Sequence, residues 1–85
     1  MFYTYILFSS TTKKCYCGST DNLERRINQH NSGYSKSTKG GVPWELKYFE
    51  EFTGRADAVR RENEIKKKKS KKYIEELLIG GERPE

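Results

Sequence analysis

Apolar, aromatic and β-branched residues fill both faces of residues 2–8, FYTYILF. Such a segment is typical of a strand whose sheet is covered on both sides. A polar loop over residues 9–12 follows and leads into a second extended segment, residues 13–19. The alternation in WELKYFEEF, residues 44–52, predicts a third strand. It places three side chains on one face: Trp44, Leu46 and Tyr48.

The first two strands predict a hairpin whose register positions two tyrosines. If the loop over residues 9–12 is the whole connection, Phe8 pairs with Lys13. Counting back along an antiparallel ladder then places Tyr5 directly opposite Tyr16. Buried phenols need hydrogen-bond partners that Phe or Leu would not require. We therefore expect the two phenols to share one face of the sheet and to have a role besides packing.

A helix is predicted after the second strand. Asp21 followed by Glu24 forms a capping-box pattern, and residues 31–33, Asn-Ser-Gly, form a stop signal. Leu23 and Ile27 define its buried stripe at helical spacing. Two further side chains of this helix lie on the flank of that stripe and border the core: Arg26 and His30.

The next helix is predicted over residues 55–69, and it carries a carboxylate on its apolar stripe. That stripe consists of Ala58, Val59 and Ile65. Glu62 lies among them, and an acidic side chain is rare there unless it is paired or bound to a cation. Lys66, four residues on, is one possible partner. A last helix begins at Ser70 and packs back through three residues: Tyr73, Leu77 and Leu78.

These elements predict one small α/β domain with the order β-β-α-β-α-α over residues 1–79, followed by a tail over residues 80–85. The sheet has three mostly antiparallel strands flanked by helices. Lys and Arg outnumber Asp and Glu by 17 to 12, and the net charge of +5 favours an anionic partner such as nucleic acid. The chain has neither a signal-like start nor a membrane-length apolar run, so we expect a cytoplasmic protein with no membrane partner. A single histidine leaves a zinc site short of ligands.

The unusual polar groups suit phosphodiester hydrolysis if their faces meet. A carboxylate can hold one divalent cation, and the planar fork of an arginine stabilises charge that develops on phosphate oxygens. A phenol of depressed pKa, or a nearby imidazole, can take the proton of the attacking water. Tyr5 is the first choice as base, with His30 polarising it or Tyr16 substituting for it.

Four motifs in order, YTYIL, YCGS, LERRINQH and RRENEIK, resemble the GIY-YIG nuclease domain, specifically its small free-standing bacterial members. The resemblance spans about residues 3–78. It implies a metal-dependent endonuclease that uses one divalent cation, Mg²⁺ or Mn²⁺, and leaves a 5′-phosphate and a 3′-hydroxyl. The implied catalytic residues are Tyr5, Tyr16, Arg26, His30 and Glu62, with Glu62 as the metal ligand and Gly18 as a structural residue at the site.

Three departures from the family pattern accompany the resemblance. Tyr3 and Thr4 stand where the first motif has Gly and Ile, and Cys17 stands where Val or Ile is usual. Many members also carry an asparagine near the C-terminus, but this chain has none after Asn63. Gly18 keeps the family residue, and its missing Cβ allows either a turn towards the helix or the close approach of a backbone or phosphate.

The lysines indicate where DNA would lie. Candidate contacts are Lys36 and Lys39 in the glycine- and serine-rich loop, and Lys66, Lys67, Lys68, Lys69, Lys71 and Lys72 in the run KKKKSKK. With no room for a second recognition domain, a nicked, branched, flapped or single-stranded DNA fits better than a long specific sequence. Two other functions stay open: a catalytically inactive nucleic-acid-binding module, and a basic domain that binds an acidic protein.

Overall fold

The computed structural model describes residues 1–33, 38–68 and 71–80. Part of the predicted loop (residues 34–37), the predicted helix start at Ser70 and residues 81–85 of the predicted tail lie outside these ranges. The described elements are β1 (Phe2–Ser9), β2 (Lys14–Thr20), α1 (Leu23–Asn31), a 3₁₀ turn (Lys39–Gly41), β3 (Trp44–Phe52), α2 (Arg55–Lys68) and α3 (Lys71–Gly80). This order confirms the predicted α/β fold.

The sheet has the strand order β2-β1-β3, and both neighbours of the central strand β1 are antiparallel to it. Ile6 and Cys17 point to the face covered by α2 and α3, where Tyr48 and Ile65 complete a core cluster. Tyr5 and its neighbours form a second cluster on the opposite face, which α1 covers. Both faces of β1 are therefore buried, as its uninterrupted apolar pattern predicts.

The hairpin register differs from the prediction by two residues. Ser9 pairs with Lys14, so the loop consists of residues 10–13, and Tyr5 lies opposite Gly18 rather than opposite Tyr16. Lys13 closes the loop with a left-handed φ of 60°, and its N–H donates to the Ser9 carbonyl over 2.8 Å. Because a shift of two residues preserves the pleat, Tyr5 and Tyr16 still share one face.

The prediction that Trp44, Leu46 and Tyr48 share a face is wrong for Tyr48. The pairing of β3 with β1 jumps from Tyr48 opposite Ile6 to Leu46 opposite Leu7, which leaves Lys47 as an extra residue. Such a bulge reverses the alternation of side chains beyond it. Tyr48 therefore packs on the α2 face, whereas Trp44 packs with Tyr5 on the α1 face.

Helix α1 begins one residue later than the capping-box pattern suggests. Asn22, not Asp21, is the N-cap, and its side chain accepts a hydrogen bond from the Arg25 N–H at 2.9 Å. Asp21 instead forms a salt bridge of 2.6 Å with the Arg25 guanidinium. The predicted inner residues Leu23 and Ile27 do pack against the cluster on this face.

Helix α2 buries two of its three predicted apolar residues. Ala58 and Ile65 are each 1% exposed, whereas Val59 is 39% exposed and lies outside the core, which corrects the predicted stripe. The Thr4 hydroxyl donates to the Ala58 carbonyl over 2.6 Å, and this buried bond ties the helix to the central strand. Helix α2 is thereby held in fixed register along β1.

Arg61 anchors helix α3, a role that the sequence analysis did not predict. Arg61 on α2 donates to Glu50 of β3 over 3.1 Å and to the Tyr73 hydroxyl over 3.1 Å. Tyr73, Ile74 and Leu77 of α3 contact the cluster between the helices and the sheet. Within the described part of the chain, no helix is long and apolar enough to cross a membrane.

Candidate active site

The candidate catalytic residues meet at the β2 edge of the sheet. Tyr5 and Tyr16 lie on the face covered by α1, together with His30 of that helix. Glu62 comes from α2 on the opposite face and accepts a hydrogen bond from Ser19 of β2. Because β2 is an edge strand, groups from the two faces approach each other around it. The groups therefore meet around an edge of the sheet and do not line a cleft between two facing surfaces.

A buried chain of hydrogen bonds runs inward from Tyr5. Its hydroxyl lies 3.1 Å from Nε2 of His30, and Nδ1 of His30 lies 2.8 Å from the Thr38 hydroxyl. The Trp44 indole donates to the Thr38 carbonyl over 2.7 Å and so fixes that residue. Tyr5, His30 and Thr38 are each at most 1% exposed. His30 is therefore held rigidly behind the phenol.

Arg26 lies at the outer end of this series of hydrogen bonds, next to the Tyr5 hydroxyl. Its Nε donates to the Tyr5 hydroxyl over 3.3 Å, and its Nη1 donates to the Gln29 side chain over 3.0 Å. Since Arg26 donates to the phenol oxygen, we assign the phenol proton to the bond with Nε2 of His30, which leaves Nδ1–H to donate to Thr38. The half-buried guanidinium keeps further N–H donors available to an anion.

Of the two proton acceptors that the sequence suggests, a phenol of depressed pKa and a nearby imidazole, only the imidazole agrees with the protonation states of this cluster. Burial raises the pKa of the Tyr5 phenol to about 12, despite the opposing effect of the Arg26 hydrogen bond and charge. Burial and the Arg26 charge lower the pKa of His30 to about 4. At neutral pH the phenol is protonated and the imidazole is neutral. The expectation of a phenol with a depressed pKa is wrong for the free protein, because burial disfavours the phenolate.

Gly18 provides the space that the Tyr5 hydroxyl occupies. A Cβ on this residue would lie 2.5 Å from the Tyr5 hydroxyl oxygen and 3.2 Å from Cε2 of Tyr16. The sequence suggested that Gly18 allows a turn or the close approach of a backbone. Neither is found, because the residue lies within β2 opposite Tyr5 and a side chain occupies the space beside it. Its role is to let a phenol from the neighbouring strand lie over the edge strand.

Glu62 has two partners. Its Oε1 accepts from the Ser19 hydroxyl at 2.7 Å, and its Oε2 accepts from Nζ of Lys66 at 2.6 Å. The same Nζ lies 5.9 Å from the centre of the Tyr16 ring, and that ring packs edge-on against His30 with 4.9 Å between centroids. The Glu62 carboxylate raises the pKa of Lys66 through their hydrogen bond. The ion pair foreseen from the i,i+4 spacing is thus present.

The Glu62 carboxylate fits a divalent cation whose other ligands are water and the phosphates of a substrate. Within the described ranges, no group of three or more His, Cys, Asp and Glu residues could hold a metal. Mg²⁺ is commonly held by one or two carboxylates, with water and substrate phosphates as its other ligands. Glu62 can be that carboxylate, and the Lys66 ammonium shows that the position beside it accepts a cation. The Lys66 side chain is 48% exposed, so it has room to move aside.

The lysines predicted to contact DNA separate into three groups. Lys66 lies in the site. Four other lysines are exposed and lie outside it. One of them, Lys68, has its Nζ 5.5 Å from the centre of the Tyr73 ring. The exposed set is Lys39, Lys67, Lys68 and Lys72. Lys36 and Lys69 lie outside the described residues, and for Lys71 only the backbone, at the start of α3, is described.

Sequence reasoning missed two residues of the site. Ser19 hydrogen-bonds the Glu62 carboxylate, and its position directly after Gly18 in the YCGS motif was an available signal. Thr38 orients His30 from a loop, eight residues further along the chain. Nothing in its sequence context distinguishes it from the other hydroxyl residues of that loop.

Comparison with known proteins gives the same family as the motifs. A family model described as the GIY-YIG catalytic domain matches residues 1–74. This match confirms the resemblance.

The chain also resembles several small proteins. It is 42% identical over 65 residues to a UPF0213 protein of Natronomonas pharaonis, covering 75% of each chain. It is 46% identical over 68 residues to a UPF0213 protein of Clostridium perfringens, covering 79% of this chain and 72% of the relative. A solution NMR structure of a UPF0213 protein from Bacillus halodurans has a TM-score of 0.59 at 34% identity, covering 99% of this chain and 89% of that one.

Replacing Gly18 with alanine is expected to destabilise the protein by about 1–3 kcal/mol, because the new Cβ collides with the Tyr5 phenol. Urea denaturation measures this change. Gly40→Ala is the matched control, since nothing lies within 4 Å of a Cβ at that position. Equal stability of the two variants would contradict the packing of Tyr5 over Gly18.

Acidification is expected to destabilise the fold through His30. The unfolded chain takes up a proton below about pH 6.5, but the folded chain resists it until about pH 4. This contribution is therefore complete above pH 6.5 and is lost as the pH falls. Between about pH 7 and pH 4.5 the parent should lose of order 2 kcal/mol more than His30→Gln does, measured by urea denaturation at each pH. Parallel pH dependences would show that His30 titrates normally.

Proposed function

Because the chain belongs to the GIY-YIG nuclease family, whose substrates are nucleic acids, we propose that it is an endonuclease that hydrolyses DNA phosphodiester bonds. The reaction requires one divalent cation, Mg²⁺ or Mn²⁺, and leaves a 5′-phosphate and a 3′-hydroxyl. The domain that carries the activity spans residues 1–79. Its substrates are nicked, branched, flapped or single-stranded DNA rather than a long specific sequence.

One observation supports this proposal more than any other. Six side chains from β1, β2, α1 and α2, the five candidate catalytic residues and Lys66, form one continuous series of contacts. Arg26 and His30 contact the Tyr5 hydroxyl, His30 contacts the Tyr16 ring, and Lys66 links that ring to Glu62. A proton acceptor, an arginine fork and a carboxylate are thus linked around one edge of the sheet, and these are the groups that hydrolysis of a phosphodiester uses.

Arg26 and Glu62 act on the charge of the phosphate. Arg26 is half-buried, and its hydrogen bond to Tyr5 raises its pKa, so it is charged at neutral pH. Its fork donates to the phosphate oxygens as negative charge develops on them. Glu62 would hold the divalent cation, which would supply positive charge to the phosphate. Lys66 would then give up its place beside the carboxylate.

The proton of the attacking water passes through Tyr5. Because the pKa of the Tyr5 phenol is about 12, very little of it is phenolate at neutral pH. The phenol therefore transfers its own proton to Nε2 of His30, 3.1 Å away, as it receives one from the water. His30 is suited to this step because its neutral ring is already oriented by Thr38. Tyr16 orients the water or the phosphate.

The exposed lysines extend the binding surface away from the reacting phosphate. Lys39, beside α1, and Lys67, Lys68 and Lys72, around the α2–α3 junction, neutralise flanking phosphates. Lys36, Lys69 and Lys71 complete this set. These contacts position the DNA backbone without reading its sequence.

The decisive variant is Glu62→Gln, which keeps the shape of the side chain but removes the charge that binds a hard cation. Cleavage of a labelled panel of duplex, nicked, flapped and single-stranded DNA in Mg²⁺ or Mn²⁺ should fall by about a hundredfold or more. DNA affinity and the melting temperature should change little, because Ser19 can still donate to the Gln oxygen. The ion pair with Lys66 that is lost is worth only about 1 kcal/mol, because the Lys66 side chain is 48% exposed.

Glu64→Gln is the control for that variant. Glu64 lies two residues away on α2 with a side chain 55% exposed, and its partner Arg61 keeps Glu50. Full cleavage by Glu62→Gln would reject the single-cation mechanism. A parent that binds DNA without cleaving it would instead identify an inactive binding module, and one that does neither would leave the protein-interaction domain.

The proton transfer to His30 predicts an unusual pH profile. Since the neutral forms of Tyr5 and His30 are the active ones, kcat/KM should be constant from about pH 6 to pH 9. In His30→Gln the acceptor is lost, so kcat/KM should be lower and should rise with pH as phenolate forms. A tenfold rise per pH unit in the parent would show instead that it reacts through the phenolate alone.

A further inference from the structure

A recess opens beside the candidate active site, between the start of β1, the β2–α1 turn and the start of α2. Its volume is about 260 Å³. Ser19 and Arg26 lie in its wall and also contact site groups, Glu62 and Tyr5 respectively. We name it the arginine pocket, after its main lining residues: Phe2, Ser19, Arg25, Arg26, Arg55 and Val59.

The charge of the arginine pocket is positive. Three guanidiniums line it, and Asp21 is the one carboxylate among the described residues of its wall. Asp21 is engaged by Arg25 at 2.6 Å. Within the described ranges, Arg26 and Arg55 form no salt bridge, so two positive charges remain available to a bound anion.

The pocket also offers flat and apolar surface, which a site for a bare phosphate would not need. The Arg55 guanidinium lies over the Phe2 ring, 5.6 Å from its centre. Val59 is an apolar residue that is 39% exposed and lies outside the core, and it adds an aliphatic surface to the pocket. An aromatic ring and a guanidinium plane are the surfaces on which nucleobases stack.

A recess of about 260 Å³ has room for a planar ring system as well as for an ion. Because Arg26 lies in the wall of both the pocket and the active site, a phosphate held there would direct its neighbouring nucleotide into the pocket.

We propose that the arginine pocket binds the base of an unpaired nucleotide next to the phosphate that is cleaved, an inference that rests on the proposed nuclease function. Phe2 and Arg55 stack on the base, and Arg26 neutralises the flanking phosphate. A base in a continuous duplex is stacked and paired, so it enters such a recess only after the cost of flipping has been met. The pocket therefore favours substrates in which the base next to the cleaved bond is already unpaired.

Two probes separate a base site from a phosphate site: an oligothymidylate, and an abasic strand of equal length with the same phosphates but no bases. Affinities are measured by fluorescence anisotropy in EDTA, so that no cleavage occurs. The parent should bind the oligothymidylate more tightly than the abasic strand. Phe2→Leu should weaken oligothymidylate binding about tenfold and leave abasic binding unchanged. Arg55→Gln should weaken both, but the oligothymidylate more.

Phe52→Leu and Arg60→Gln are the controls. Phe52 pairs with Phe2 across the sheet, and Arg60 is an exposed α2 arginine paired with Asp57; neither lines the pocket. Both control variants should bind the two probes as the parent does. Equal parent affinity for the two probes, no effect of Phe2→Leu, or no oligothymidylate binding at all would overturn the base subsite. The nuclease proposal itself fails only if the parent cleaves none of the DNA panel.

Discussion

The hydroxyl of Tyr5 lies over Gly18, in space that the Cβ of any other residue would occupy. This close approach brings a side chain of the central strand to the edge of the sheet, which a phenol on β1 could not otherwise reach. From there the hydroxyl faces Arg26 on the outside and His30 behind it. The other site groups come from β2, α1 and α2, and they meet the phenol or its neighbours at this edge.

Burial gives the site both its rigidity and its chemistry. No described buried polar side-chain atom lacks a hydrogen-bond partner, although Tyr5, His30 and Thr38 lie inside a thin core. The same burial keeps the phenol protonated and the imidazole neutral, because it disfavours the charged form of each. A neutral donor and a neutral acceptor held 3.1 Å apart can exchange a proton without either having to ionise in advance. A solvent-exposed pair would be easier to fold but would lack this fixed alignment.

The sequence predicts the elements well and their registers less well. The order of strands and helices follows from periodicity, and Arg26, His30 and Glu62 stand out because each polar group lies beside or on an apolar stripe. The hairpin register fails by two residues because the left-handed Lys13 depends on local loop energetics that composition does not reveal. The face of Tyr48 fails because a bulge reverses the alternation without any Gly or Pro to mark it. Thr38 could not be found, since its role depends on a contact between a loop and a helix.

The edge position of β2 also explains how so small a domain can hold a polar site without opening its core. Helix α1 packs on one face of the sheet and α2 on the other, so each face keeps its own apolar cluster. Charged groups are placed where the two helices approach around the edge strand, and there Lys66 bridges Glu62 and the Tyr16 ring. A cation beside Glu62 is thus present whether or not a metal binds, which keeps a half-buried carboxylate compensated in both states. The hydrogen bonds that align Tyr5, His30 and Arg26 do not involve Glu62, so they do not depend on which cation lies beside it.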